Sequence, residues 1–191
     1  MTNTTNAMKP HASAGYSITL RLRIENAPGR LASIIEKVAE TGASAGEIAI
    51  IHSDFHFMIR EVTFHCVNEE HAKQIVSIVE GLDWASLLSW RDDTFFDHEG
   101  GKLFVTPKHQ LLSPDQLSRA YTPGVGRVCL AIAKNHEEAY RYTIKQHTVA
   151  VVTDGSAVLG LGNIGPEAAI PVMEGKAMLF KQFGNIDAFP I

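Results

Sequence analysis

The stretch Ser17-Ile18-Thr19-Leu20-Arg21-Leu22-Arg23-Ile24-Glu25-Asn26-Ala27-Pro28-Gly29-Arg30-Leu31 changes its apolar period midway. Up to Glu25, the apolar Ile18, Leu20, Leu22 and Ile24 alternate with Thr19, Arg21, Arg23 and Glu25, which predicts a strand buried on one face only. Asn26 to Gly29 carry the proline and glycine of a turn. Beyond it Leu31, Ile34, Ile35, Val38 and Ala39 recur at helical spacing until Gly42 stops the helix. Working outward, a strand is expected over 44–52, a hairpin loop at 53–55, and a return strand over 56–67 with Val62, Phe64 and Cys66 inward. Asn68 caps a second helix, whose first turn holds Glu69 and Glu70 and whose buried stripe is Ala72, Ile75, Val76 and Val79. A last strand runs over 84–91.

The order βαββαβ predicts a ferredoxin-like plait, an antiparallel sheet carrying both helices on one face. With its flanking strand and helix, the turn Asn26-Ala27-Pro28-Gly29-Arg30-Leu31 resembles that of ACT domains, small regulatory modules that sense amino acids and related metabolites. The resemblance covers about residues 16–91. It implies an amino acid or dicarboxylate effector at Asn26, Gly29 and Leu31, and a homodimer, because such domains often build their sites between subunits. The physical basis is that Gly29 allows close backbone approach while the free amides of the helix start attract a carboxylate. The same residues would also serve as a plain strand-to-helix turn.

With 191 residues, 45% of them hydrophobic and 20% charged, the chain has room for one large or two small domains. Its 17 basic and 21 acidic residues are interspersed and sum to −4, so no basic field invites nucleic acid or an anionic membrane. No apolar run approaches a membrane span. The polar residues 1–15 are read as a disordered tail without a signal segment, and Cys66 and Cys129, outside any CxxC spacing, as reduced packed thiols. Together these point to the cytoplasm. His52 and His56 flank Asp54 across the hairpin, but no further ligand stands beside them and no metal centre is assigned in the chain. The polar stretch 92–105 is taken as a linker, leaving 106–191 as a second domain that opens with helices.

In that second half, Ser113-Pro114 starts a short helix ending at Tyr121, and the stiff corner Thr122-Pro123-Gly124 would aim the tyrosine hydroxyl. Helices are expected over 125–135 and 137–145. A continuous apolar strand over 148–153 should be covered on both faces. Gly160, Gly162 and Gly165 formally satisfy GxGxxG, the dinucleotide fingerprint, as a weak cofactor-binding assignment. Several residues separate them from the strand, however, and no second strand ending in an acid follows. A loop approaching a small anionic substrate fits better. Lys176 falls on the apolar stripe formed by Val172, Leu179, Phe180 and Phe183. Desolvation there would disfavour the ammonium and make it a proton acceptor at neutral pH, whereas at the stripe's edge it would snorkel into water.

Tyr121-Thr122-Pro123-Gly124-Val125, Thr153-Asp154-Gly155, Leu159-Gly160-Leu161-Gly162-Asn163-Ile164-Gly165, Pro171-Val172-Met173-Glu174-Gly175-Lys176 and Asp187-Ala188-Phe189-Pro190-Ile191 occur in that order. Together they resemble the N-terminal catalytic region of bacterial-type malic enzymes. The resemblance implies oxidative decarboxylation of malate to pyruvate and carbon dioxide with NAD or NADP and Mn or Mg. It implies Lys176 as the base that accepts the hydroxyl proton and Tyr121 as the acid that protonates the enolate. Eukaryotic-type members carry an arginine shortly after Thr-Asp-Gly where this chain has Ser156-Ala157-Val158. The fold class expected is therefore α+β, a ferredoxin-like ACT domain followed by a mostly helical malic enzyme N-terminal domain, truncated before the Rossmann domain. On that reading the metal ligands lie past Ile191, and the chain alone is inactive. The alternative is a non-catalytic metabolite sensor or interaction protein.

Overall fold

A computed structural model describes residues 11–191 of the chain, so the first ten residues of the expected tail lie outside the described part. Two compact units divide between Glu99 and Gly100. The first contains β1 (Ser13–Glu25), α1 (Arg30–Ala39), β2 (Ser44–Ser53), β3 (Phe57–Cys66), α2 (Glu69–Glu80), β4 (Ala85–Asp92) and α3 (Asp93–His98). Its sheet is antiparallel, in the order β2-β3-β1-β4, with β1 in a central position. The period-2 pattern fixes the register: Ile18, Leu20, Leu22 and Ile24 are at most 2% exposed and meet Phe64 and Val62 on the same face. Ile34 and Val38 of α1 and Ala72, Ile75 and Val79 of α2 close the core over that face. The unit is a mixed α/β plait with one covered sheet face.

Local chemistry sets the element ends. Asn68 Oδ1 accepts from the His71 backbone amide at 2.9 Å, the side-chain cap that residue type favours. Gly29, at φ +84°, makes the left-handed entry to α1. His71 is buried, and its ring joins two segments: Nδ1 accepts from the Val67 amide at 3.2 Å, and Nε2 lies 2.7 Å from Thr41 Oγ1. Because Thr41 Oγ1 donates to Val38 O, the ring donates through Nε2 and accepts through Nδ1.

The stretch read as a linker is partly structured. Asp92 caps α3 through the Phe95 amide, and Asp93 Oδ2 accepts from Thr19 Oγ1 at 2.9 Å, fastening α3 to the outer face of β1. These two aspartates, which composition alone marks as linker, act here as a cap and a sheet ligand.

The second unit contains α4 (Pro114–Ala120), α5 (Val125–Lys134), α6 (Glu138–Tyr142), a single 3-10 turn (Ile144–Gln146), β5 (Thr148–Val151), α7 (Pro166–Gly184) and β6 (Asp187–Pro190). Strands β5 and β6 are parallel neighbours. The helix expected over 137–145 stops at Tyr142. Thr143 is extended at φ −130°, ψ 167°, and its hydroxyl accepts from the Lys145 amide, so the β-branched side chain diverts the backbone from the helix. The strand after it also differs from expectation. Val149 is 39% exposed and Val152 is 74% exposed, so the described residues do not cover β5 on both faces.

Candidate active site

From β5 the chain passes into a loop over 152–165 that closes on itself before α7. Thr153 Oγ1 accepts from the Gly155 amide at 3.0 Å, and Asp154 Oδ1 accepts from the Ser156 amide at 2.9 Å. That second amide holds the Asp154 carboxyl below its ordinary range. Gly155, at φ +69°, runs so close to the start of α7 that an added Cβ would collide with Gly165 O. Ile164 N donates to Gly155 O, and Val158 N donates to Gly162 O. Gly165, at φ +82°, precedes Pro166 at the first helical position. In GxGxxG sites the strand feeds directly into the first glycine, whereas here β5 ends at Val151 and Gly160 comes nine residues later. The geometry is that of a loop closed on itself, not a dinucleotide crevice.

Lys176 lies ten residues after Pro166 on α7, about 15 Å along the axis from the glycine turn. It is exposed, and with Leu179, Phe180, Phe183 and Gly184 it lines a shallow, mostly apolar hollow. The face of α7 that is buried is Ala169, Met173 and Ala177, not the bulky stripe expected from the sequence. Small residues let the helix lie close to β6, where Ala188 is also buried, while Leu179 and Phe183 remain 57% and 83% exposed. The ammonium of Lys176 is therefore not desolvated by the described residues.

Tyr121 caps the end of α4, its amide donating to Leu117 O at 2.8 Å and its carbonyl accepting from Val125 N at 2.8 Å. The Thr122-Pro123 bond is cis. An added Cβ at Gly124 would meet Ser118 O at 2.5 Å, so the corner is tight. The ring is 65% exposed. Helix α4 packs on α5 and α5 on α6, whereas α7 packs on β6 and β5, which leaves Tyr121 and Lys176 on separate elements. Among the described residues no hydrogen bond joins them.

The sequence pattern gives no hint of an ion cluster at the far end of α7. Asp187 Oδ1 accepts from Lys181 Nζ at 2.7 Å and its Oδ2 lies 3.0 Å from His147 Nε2. The lysine, more than the histidine, holds the Asp187 carboxyl below its ordinary range. Asp187 opens one of the quoted motifs, but nothing in the sequence ties it to His147, forty residues earlier. Among the described residues no group of three His, Cys, Asp or Glu side chains is placed to hold a metal ion. His52 Nε2 and Asp54 Oδ2 are 3.8 Å apart, a long ion pair within a turn.

In the first unit, the turn over 26–31 borders a cavity of about 280 Å³ together with Met58 and Arg60. Asn26 is occupied locally, its Nδ2 donating to Asp54 O at 2.6 Å, and Leu31 packs partly into the core. Arg60 is half-buried, and its guanidinium donates to Met58 Sδ at 3.1 Å. The sequence does carry a signal for it: Arg60 holds the inward parity of β3, between Met58 and Val62, where a charge breaks the pattern.

The second unit is thus a small α/β domain in which a closed glycine loop leads into a long helix bearing an exposed lysine. The malic enzyme N-terminal domain family matches residues 101–191. The NAD-dependent malic enzyme of Geobacillus stearothermophilus is 43% identical over 178 residues, which are 93% of this chain and 37% of that protein. NAD-dependent malic enzyme 1 of Bacillus subtilis is 38% identical over 91% of this chain and 40% of its own length. A crystal structure of an NAD-dependent malic enzyme from Thermotoga maritima superposes with a TM-score of 0.50 at 52% identity, over 53% of this chain and 27% of that one. Residues 101–191 are similar to the malic enzyme N-terminal domain, and the alignments with the Geobacillus and Bacillus enzymes extend across both units. The chain spans about two fifths of the length of these curated relatives. None of the described helices is long and apolar enough to cross a membrane.

Proposed function

We propose that the chain serves oxidative decarboxylation of malate to pyruvate as part of a cytoplasmic NAD- or NADP-dependent malic enzyme. The observation that carries this reading is the family match over 101–191, the segment that holds both Tyr121 and Lys176. A bound nicotinamide would supply the hydride acceptor for this reaction, and a divalent Mn or Mg would supply positive charge for the enolate oxygen. Lys176 accepts the proton of the malate hydroxyl, and its place on the rim of an apolar hollow suits a group that becomes a base once substrate excludes water. Tyr121 returns a proton to the enolate carbon, and its exposure leaves the hydroxyl free to reach a ligand. We assign the working form as a homodimer, because domains of the ACT type often build their sites between subunits. The glycine loop over 155–165 contributes backbone amides toward the substrate carboxylate.

The test is made in the full-length enzyme and measures nicotinamide reduction and pyruvate formation with malate and manganese, alongside calorimetric binding of malate and of oxalate, a planar mimic of the enolate. Lys176→Ala should abolish turnover with an unchanged melting temperature, and an equal loss of both would assign the lysine to packing. Tyr121→Phe should slow enolate protonation more than hydride transfer; unaltered pyruvate formation removes it from the mechanism.

For the first unit the reading is an ACT-type effector domain. Asn26 and Leu31 line a cavity, with Gly29 in the turn between them, for the carboxylate of an amino acid or dicarboxylate, and Arg60 is the neighbouring cation. A thermal-shift screen of such metabolites should find a stabilising ligand whose effect Gly29→Val removes. A screen without a binder, together with a monomeric mass in solution, leaves only a structural turn.

A further inference from the structure

On the face of the sheet turned away from α1 and α2, the first unit has another cavity, of about 360 Å³, where β1 ends and β4 begins. Arg23 and Glu25 are at the outward parity of β1; Phe57 and Ser86 sit opposite them on β3 and β4. The Arg23 guanidinium lies 4.1 Å from the Phe57 ring centroid and, among the described residues, meets no carboxylate within 4.0 Å. Glu25, the acid nearest in sequence, is taken by Arg30, whose Nε donates to it at 2.8 Å. Arg30 in turn lies 4.7 Å over the ring of half-buried Trp84, a second wall of the cavity. Asp83 borders the same space from the turn before β4, and among the described residues it has no hydrogen bond or ion pair. One cavity is therefore lined by a cation without an anion, an anion without a cation, and two aromatic rings.

We propose that this cavity binds an α-amino acid as its zwitterion. Arg23 takes the carboxylate through its planar donor fork, Asp83 takes the ammonium, and the side chain lies along Phe57 and Trp84. A free amino acid carries the two charges that the cavity leaves unpaired, so neither protein charge has to lose an existing partner when it binds. The site adjoins the cavity at the turn over 26–31 through Glu25, which lines both, but that second cavity reaches the helix side of the sheet through Leu31, Met58 and Arg60.

The experiment is calorimetry and thermal shift on the full chain with L-leucine, L-phenylalanine, 3-phenylpropanoate and phenethylamine. The two amino acids should bind and raise the melting temperature. The phenyl analogues lacking the amine or the carboxylate should bind about tenfold or more weakly, since each forfeits a charge-assisted hydrogen bond. Arg23→Gln and Asp83→Asn remove exposed charges and leave the core intact, so both variants should fold, and each should weaken binding about tenfold or more. In Gly29→Val, which disables the turn, the component of binding that Arg23→Gln and Asp83→Asn weaken should persist, which separates this site from the turn. Absence of amino acid binding, equal binding of 3-phenylpropanoate and phenylalanine, or full binding retained by either charge variant overturns the proposal. So does loss of that component in Gly29→Val, which assigns the ligand to the turn.

Discussion

Gly155 and Gly160 share a loop, yet they face opposite constraints. A methyl group at Gly155 would have to occupy the space of Gly165 O, and its φ of +69° is itself strained for any L side chain. Gly155→Ala should therefore cost about 3 kcal/mol or more in the second unit. At Gly160 nothing lies within 4 Å of an added Cβ and the backbone is ordinary, so Gly160→Ala should be neutral or stabilise by up to about 1 kcal/mol. Chemical denaturation of both variants checks the contrast, and equal effects would contradict it. Asp187 gives a pH dependence. Its carboxyl is held low by Lys181, so the pair stabilises the fold above the unfolded carboxyl value, near about 4, and that contribution disappears as pH falls through the lower folded value. Carbon NMR should place the Asp187 midpoint below the usual carboxyl range, and Lys181→Ala should move it upward. An unmoved midpoint would discard the lysine as the cause.

At the scale of elements, the outcome turned on which apolar stripe each helix buries. In α1 and α2 the expected stripes, Ile34 with Val38 and Ala72, Ile75 with Val79, are the buried ones, because only one face of each helix is apolar and a broad sheet awaits it. Helix α7 is apolar nearly all round, so periodicity offers several faces and hydrophobic size favours the wrong one. Close approach to a two-stranded sheet selects Ala169 and Ala177 instead. Ala177→Leu should overpack that contact and destabilise the second unit by about 1–3 kcal/mol, whereas Phe183→Ser should leave the melting temperature unchanged and improve solubility. A larger loss for Phe183→Ser would reverse the assignment of faces. The same contrast explains how far the sequence could be read. Alternation, caps and turns made the first unit legible almost residue by residue. The closure of the glycine loop and the pairing of His147 with Asp187 arise only in the folded chain, whereas the Asp92 cap of the helix at Asp93–His98 is local but hidden by the polar composition around it. Lys176 and Tyr121 stand out through motif order, while their exposure and separate locations are visible only in three dimensions.

In the molecule as a whole, burial is unevenly distributed. The fully buried large side chains, from Phe64 to Cys66, belong to the first unit, whereas the second buries mainly Val158, Ala169, Met173, Ala177 and Ala188. Amide exchange should therefore be slowest in β1 and β3 and fast through α4 to α6, and equal protection of the two units would refute this ranking. Strand β2, at an edge of the sheet, carries exposed Ile48, Ile50 and Ile51, a composition that invites strand addition. Its pairing with β3 is interrupted twice, between Ala45 and Ile48 and between Ile50 and His52. An irregular edge cannot present an unbroken row of amides and carbonyls to another chain, so it terminates growth instead of templating it. The twin interruptions thus act as a guard against fibrils: straightening them by deleting Glu47 and Ile51 together should give a protein that seeds cross-β aggregates, read by thioflavin T fluorescence.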